Sequence, residues 1–183
     1  RNDLLQQVSY RKVRIMMHEE NPVYQSASSL CAFYLIYGLA PSAQRNKILI
    51  QNFRRDLGRR MAAQIPDITL ERANFICPVP NTGIPYAEGI AEATGKPLQA
   101  ILQKQTCRRS FHIQDPRDRS LQIQEDISLA KTNLKGTSII LVDEAVFTGI
   151  TLKTICQKLR EQDVAEIHIC IPSSPCTRQC LFN

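Results

Sequence analysis

Two adjacent carboxylates, Asp143 and Glu144, lie between a short apolar run and a loop of small and hydroxyl residues. The apolar run, 139–142, is too short for a helix and rich in β-branched side chains, which is typical of a buried parallel strand. After the loop, residues 151–160 carry apolar side chains at helical spacing. The pattern therefore predicts two acids at the carboxyl end of a strand, beside the free amide groups of a helix N-terminus.

Such an edge predicts a ligand that carries both hydroxyls and a phosphate, and ribose 5-phosphate is the obvious candidate. Ligands of open α/β sheets bind at the carboxyl ends of strands, and helix N-termini attract phosphate. Gly149 allows close backbone approach, and the hydroxyls of Thr148 and Thr151 can donate beside the amides. The predicted phosphate loop is Ala145, Val146, Phe147, Thr148, Gly149, Ile150 and Thr151. The alternative is that the acids only end a strand and that Thr151 is an ordinary helix N-cap.

A second loop follows the short apolar strand 75–79 and precedes a predicted helix. It contains Pro80, Asn81, Thr82 and Gly83, and its amides could bind an anion because Gly83 tolerates unusual backbone angles. The alternative is a plain Asn-Thr-Gly turn.

Strands and helices are predicted to alternate along the chain. Helical spacing over 47–65 ends at Pro66, and the helix 84–93 ends at Gly95. Residues 103–124 are polar and interrupted by Pro116, which predicts a long loop. The strands are predicted at 11–17, 30–37, 75–79, 98–102, 138–142 and 166–171. This order predicts an α/β fold, a Rossmann-like parallel sheet flanked by helices, in a single domain over 1–183.

The formal net charge is +6, from 23 basic and 17 acidic residues. A basic balance suits a polyanionic small molecule and would equally suit nucleic acid. Nucleic acid is disfavoured as a partner because no helix-turn-helix or aromatic platform accompanies the charge. The arginines of the predicted helix 47–65 are expected to form a solvated face: Arg54, Arg55, Arg59 and Arg60.

The seven cysteines contain no Cys-x-x-Cys pair, and several lie in apolar runs. A free cysteine there behaves as a small hydrophobic residue, and an odd number argues against a disulfide framework. These observations predict a reduced, cytoplasmic protein. No apolar run is long enough to cross a membrane, and no signal peptide is visible in the sequence.

Several colinear motifs resemble the type I phosphoribosyltransferases, most closely the synthase domain of glutamine phosphoribosylpyrophosphate amidotransferase. The strand, two acids and loop ending in Thr148-Gly-Ile-Thr151 resemble the family signature. The other matching segments are 31–42, 78–83, 109–111 and 172–175. The resemblance implies the type I fold with a small hood from about 1–30 and a flexible lid over about 103–124. No segment resembles the family's glutaminase domain, so a synthase domain without it is expected.

The same resemblance implies a role for each site residue. Asp143 and Glu144 would hold the ribose hydroxyls near the developing positive charge, and the loop 145–151 would bind the 5-phosphate. The loop 80–83 would bind pyrophosphate, and the lid would bring cations to it. The implied lid cations are Lys104, Arg108 and Arg109, of which Arg109 matches the family's arginine and would act in catalysis. Mg²⁺ is implied through the substrate, with Asp143 and Glu144 as further ligands.

The implied activity is transfer of 5-phosphoribosyl from phosphoribosyl pyrophosphate to a small-molecule acceptor, in nucleoside or natural-product biosynthesis. The chain has Asp126-Ile-Ser128 where the amidotransferase has a Lys-Leu-Asn segment, which favours an acceptor other than glutamine-derived ammonia. Two alternatives stay open: a non-catalytic module that senses phosphoribosyl pyrophosphate or nucleotide, and a synthase subunit fed ammonia by a separate glutaminase. No membrane partner is expected, and a homodimer is compatible with the family.

Overall fold

The computed structural model describes residues 13–17, 39–45, 48–105, 115–146 and 148–173. Its strands are β1 (Val13–Met17), β2 (Gln44–Arg45), β3 (Ile48–Leu49), β4 (Phe75–Pro78), β5 (Leu102–Lys104), β6 (Ile127–Leu129), β7 (Ser138–Val142) and β8 (Glu166–Ile171). Its helices are α1 (Ile50–Ala62), α2 (Asp67–Arg72), α3 (Ile84–Thr94), α4 (Pro116–Asp126) and α5 (Ile150–Glu161).

The main sheet is parallel, with the strand order β1-β8-β7-β4. Every residue of β7 is buried, as expected for a parallel strand covered on both faces. Alternate side chains of β7 enter two separate hydrophobic clusters. Ile139 and Leu141 pack on the side of α4 and α5, whereas Ile140 and Val142 pack on the side of α1 and α3. The predicted α/β fold with helices on both faces is confirmed.

Helices α1 and α3 cross in close contact because glycines lie at their crossing. A Cβ added at Gly58 would lie closer than 3.0 Å to the Tyr86 carbonyl, and one at Gly89 equally close to the Arg55 carbonyl. The face of α3 towards α1 therefore packs backbone against backbone.

The helix predicted over 84–93 ends at the expected glycine, since Gly95 is the C-cap with φ 69°.

The arginine-rich face of α1 differs from the prediction. Arg54 is 0% exposed, and its guanidinium donates to the Leu39 carbonyl at 2.8 Å. Its helical position places it in line with Ile50 and Leu57, on the buried side. Arg55 and Arg59 remain at the surface, where both form ion pairs with Glu92 of α3, and Arg60 is exposed.

The segment 103–124 is not the structureless loop that its polarity predicted. It contains most of the strand β5 and most of the helix α4. Residues 106–114, between these two elements, lie outside the described part of the chain. Pro116 begins α4 instead of interrupting it, because Asp115 caps the helix by accepting from the amides of Arg117 at 2.7 Å and Asp118 at 3.4 Å. Ile123 is buried against the main core and anchors the helix.

The strand predicted over 98–102 is also misplaced. Leu98 makes an isolated parallel bridge with Ile76 at the edge of β4, after which the chain leaves the sheet. The strand that follows, β5, pairs antiparallel with β6 in a separate two-stranded sheet. The predicted strands 11–17, 75–79, 138–142 and 166–171 are confirmed to within two residues at each end. The strand predicted at 30–37 lies outside the described residues.

Residues 13–17 fall in the range predicted for the hood, but they form β1, an edge strand of the main sheet. The rest of the range 1–30 lies outside the described residues. A hood from that remainder stays a prediction.

Candidate active site

Two loops leave neighbouring strands at the carboxyl edge of the sheet, and the sheet pairing continues into both. The amide of Val79 donates to the Val142 carbonyl at 2.8 Å, directly after β4 and β7 have paired in register. The amide of Asp143 donates to the Cys170 carbonyl of β8 at 3.2 Å. The loop 79–83 and the acid pair are therefore brought to one place by rigid strands.

The first loop turns into α3 through Gly83. A Cβ on Gly83 would lie 2.5 Å from the Val142 carbonyl oxygen and 2.7 Å from that of Val79, so a side chain has no room. The backbone angles of Gly83 are ordinary, with φ −69° and ψ −18°, which corrects the expectation of unusual angles. Glycine is required here for space. Earlier in this loop, the peptide bond between Pro80 and Asn81 is cis.

The acid pair lies at the predicted strand end and is largely buried. Asp143 is 5% exposed and Glu144 is 8% exposed, and the Glu144 amide donates to Oδ1 of Asp143 at 3.0 Å. Burial raises the pKa of Asp143 well above its ordinary value, and the charge and side-chain hydrogen bond of Glu144 raise it further. Perturbed carboxyls of this kind are concentrated at functional sites.

A side-chain hydrogen bond joins the two loops. The hydroxyl of Thr82 lies 2.6 Å from Oε2 of Glu144, across 62 residues of sequence. Sequence reasoning assigned Thr82 only to an amide cradle and missed this contact. The sequence indicated this contact only indirectly, because both loops were predicted to begin at the carboxyl ends of strands in the same parallel sheet.

The loop 145–151 ends in a left-handed glycine. Gly149 has φ 76° and is the N-cap of α5, so Thr151 lies inside the helix and is not the N-cap that the alternative interpretation expected. The Thr148 hydroxyl accepts a long bond of 3.5 Å from the Ile150 amide and is exposed. No acidic residue lies in the first turn of α5, which leaves that helix end suited to an anion.

Other residues of this loop contribute to packing. Val146 and Ile150 are half-buried against the core cluster beneath α5, and Ala145 is half-buried. Phe147 lies outside the described residues.

The predicted lid cations are only partly described. Lys104 is half-buried at the end of β5, while Arg108 and Arg109 lie outside the described residues. A role of these residues in a lid therefore stays a prediction.

The donor set suits magnesium delivered by a substrate. Within the described ranges, no group of three His, Cys, Asp or Glu side chains could hold a metal ion. Asp143 and Glu144 offer hard carboxylate oxygens, and Mg²⁺ is commonly bound by one or two carboxylates together with substrate phosphates. The pair fits that mode and does not form an all-protein cage.

Comparison with known proteins indicates a phosphoribosyl transferase domain. A family model for the phosphoribosyl transferase domain matches residues 46–176. The amidophosphoribosyltransferase of Synechocystis sp. is 30% identical over 155 residues, which cover 84% of this chain and 30% of that protein. The amidophosphoribosyltransferase of Pyrococcus horikoshii is 28% identical over 166 residues, covering 90% of this chain and 36% of the relative.

A solved structure agrees with this comparison. Glutamine phosphoribosylpyrophosphate amidotransferase from B. subtilis, complexed with ADP and GMP, has a TM-score of 0.68 and 29% identity. The match covers 83% of this chain and 33% of that chain. The chain therefore spans about a third of the length of the relatives that it matches.

In the part of the chain that is described, no helix is long and apolar enough to cross a membrane.

Proposed function

The chain belongs to the phosphoribosyl transferase domain family, and from this premise we propose that it transfers 5-phosphoribosyl from phosphoribosyl pyrophosphate to a small-molecule acceptor. The observation that carries the proposal is the hydrogen bond from Thr82 to Glu144, which brings a candidate pyrophosphate loop against an acid pair at one sheet edge. Phosphoribosyl pyrophosphate carries ribose hydroxyls between a pyrophosphate and a 5-phosphate. These three groups match the candidate pyrophosphate loop 80–83, the acid pair and the candidate phosphate loop 145–151.

In the proposed reaction, the bond from ribose C1 to pyrophosphate breaks and a bond from C1 to the acceptor forms. Pyrophosphate leaves with the electron pair, and the acceptor loses its proton. Positive charge develops on the ribose in between, and preorganised carboxylates stabilise such charge. Asp143 and Glu144 would accept hydrogen bonds from the ribose hydroxyls on that side.

The two loops would hold the ends of the substrate. The amides and hydroxyls of 145–151 would bind the 5-phosphate at the N-terminus of α5. The amides of 80–83 would bind pyrophosphate, and Arg109, together with Lys104 and Arg108, would shield it as a lid. Asp143 and Glu144 are candidate ligands for Mg²⁺ that arrives with the substrate, and the ion would supply neutralisation of charge on the leaving group.

Ammonia is a second candidate acceptor, because the similar proteins are named amidophosphoribosyltransferases. In that case the ammonia would be supplied by a glutaminase activity. A cytoplasmic location belongs to the same proposal, since Cys77, Cys156 and Cys170 are free.

The test is calorimetric titration with phosphoribosyl pyrophosphate and Mg²⁺, followed by measurement of pyrophosphate release. The release assay would include ammonium chloride and a panel of purine bases and amino sugars as acceptors. We expect binding and acceptor-dependent release. Binding without release by any acceptor would favour a sensing module, and absence of binding at millimolar ligand would refute the proposal.

A further inference from the structure

The contact between Thr82 and Glu144 joins two loops that start from neighbouring strands. The hydroxyl and Oε2 are 2.6 Å apart, within the range of a charge-assisted hydrogen bond between a hydroxyl and a carboxylate. Glu144 is 8% exposed and Thr82 is half-buried, so water competes weakly for this contact. The bond is a defined feature of the site.

The backbone holds the Thr82 hydroxyl in this place from both sides. Before it, the Val79 amide is bonded to the Val142 carbonyl at 2.8 Å. After it, Gly83 lies against the same carbonyl with no room for a Cβ. Because Val142 belongs to the strand that carries the acids, the backbone at Thr82 is held beside the backbone at Glu144 by the sheet edge.

Glu144 needs such a partner because its carboxylate lies at the end of a flexible side chain beside a second acid. The Asp143 carboxyl is buried next to it, and the two groups repel each other whenever both are ionised. A carboxylate has about four acceptor positions, so the bond at Oε2 leaves acceptor capacity for a ligand hydroxyl. An aspartate at position 144 would be one methylene shorter and would fall short of Thr82.

We propose that Thr82 is a positioning residue, which orients the Glu144 carboxylate towards the ribose hydroxyls of the substrate and so couples the pyrophosphate loop to the ribose subsite. This inference rests on the proposed function. It assigns the Thr82 side chain to the ribose subsite, although its backbone belongs to the loop proposed for pyrophosphate.

The separation of side chain from backbone supplies the experiment. Thr82→Val removes the hydroxyl but keeps the amide, and Thr82→Ser keeps both. We expect Thr82→Val to weaken binding of ribose 5-phosphate about tenfold, from the loss of a hydrogen bond to a charged group, and to change binding of magnesium pyrophosphate less than about twofold. Thr82→Ser should bind both probes as the parent does. Thr132→Val, at an exposed threonine away from the site, is the matched control.

A double-variant cycle tests whether the effect passes through Glu144. In a Glu144→Asp background, adding Thr82→Val should change ribose 5-phosphate binding less than about twofold, because the contact is already lost. An equal loss in both backgrounds would overturn the inference, as would equal loss of the two probes in Thr82→Val.

Failure of the inference is distinguishable from failure of the proposed function. If the parent protein binds neither phosphoribosyl pyrophosphate nor ribose 5-phosphate, the proposed function is wrong. If the parent binds both and Thr82→Val binds ribose 5-phosphate normally, the positioning role alone is wrong. Circular dichroism and thermal melts of each variant establish that the fold is retained.

Discussion

The Asp143 carboxyl is buried beside a second carboxyl, and this arrangement opposes the charged form that the proposed chemistry uses. Burial raises the pKa of Asp143 well above its ordinary value, with the Glu144 charge and hydrogen bond adding to the shift. The folded protein therefore binds a proton at Asp143 more tightly than the unfolded chain does. Without a positively charged ligand, the site therefore favours the form in which Asp143 carries a proton.

Asp143→Asn should consequently stabilise the folded protein at neutral and higher pH. Since the folded pKa of Asp143 is raised, its stabilising effect is complete below the unfolded pKa of about 3.9 and is lost as the pH rises through the folded pKa. An amide carries no charge, so the variant should melt a few degrees above the parent at about pH 8 and near the parent at about pH 4. Thermal melts across this range measure the difference. Glu71→Gln, at an exposed acid of α2, should show no such trend, and a gap that closes as the pH rises would contradict the sign.

The same acids should be necessary for turnover. Asp143→Asn combined with Glu144→Gln should lower the rate strongly while the fold is retained, since removing transition-state electrostatics costs about 100-fold per group. Pyrophosphate release with a working acceptor is the measurement, again with Glu71→Gln as control. A rate within a few-fold of the parent would mean that the pair is structural.

At the scale of elements, the packing of α1 on α3 depends on the absence of side chains at two positions. Gly58 and Gly89 each lie against a backbone carbonyl of the other helix, and carbonyls cannot move as a flexible side chain can. Arg55 and Arg59 then reach Glu92 across the same crossing. These exposed ion pairs add little by themselves, so close packing is the main source of stability at this crossing.

Gly58→Ala tests this packing because two effects oppose each other. Helix propensity alone predicts a gain of about 1 kcal/mol from alanine. The clash with the Tyr86 carbonyl should exceed it and leave the variant destabilised by about 1–3 kcal/mol. Chemical denaturation measures the difference, with Gln51→Ala at an exposed position of the same helix as control. A stabilised Gly58→Ala protein would show that the helices can separate at low cost.

The connection between β5 and α4 is the element in which the proposed lid lies. Both flanking elements are anchored, β5 by its pairing with β6 and α4 by Ile123 in the core. The connection carries Arg108 and Arg109, whose charges a pyrophosphate could recruit. The lid over about 103–124 stays a prediction.

Arg109→Ala should slow transfer far more than it weakens binding of ribose 5-phosphate, which would be held by the loop 145–151. Turnover and titration with both ligands are the measurements, together with limited proteolysis with and without phosphoribosyl pyrophosphate and Mg²⁺. Arg117→Ala, at an exposed arginine of α4, is the control. Equal losses for the two ligands, or equal proteolysis in both conditions, would count against the lid.

On the scale of the whole molecule, two hydrophobic clusters enclose the sheet and contain the described cysteines. Cys156 and Cys77, which belongs to β4, lie in the cluster on one side, and Cys170 lies in the cluster on the other. Burial raises the pKa of Cys77 and of Cys170 to about 12, and that of Cys156 to about 11. The thiolate that reacts with oxidants and alkylating agents is thus suppressed.

These three thiols should therefore resist alkylation in the folded protein at about pH 8 and react fully in denaturant. Peptide mass spectrometry after iodoacetamide treatment, with and without guanidinium, identifies each position. Rapid labelling of Cys77, Cys156 or Cys170 in the native protein would show that the core opens readily. The remaining cysteines serve as internal comparison within the same digest.

Periodicity and turn chemistry were sufficient to predict the strands of the main sheet and the helices α1, α3 and α5. The strands β4, β7 and β8 are apolar runs bounded by polar or turn residues, and α3 ends at Gly95 where the chain becomes left-handed. These signals are local, since they depend on side-chain spacing and on the backbone freedom of glycine. The parallel sheet and the position of Asp143 at its edge followed from them, whereas the family was indicated by the resemblance of several colinear motifs.

Only the tertiary structure decided which side chains meet. Arg54 carries a charge that favours the surface, yet its helical position places it in the core, where a carbonyl binds it. The sequence predicted that Pro116 interrupts a loop, whereas in the structure Pro116 begins a helix that Asp115 caps. Thr82 and Glu144 are 62 residues apart, and their contact exists because β4 and β7 are neighbours in the sheet. Spacing along a chain specifies the faces of helices and strands, whereas a hydrogen bond between loops depends on how those faces pack.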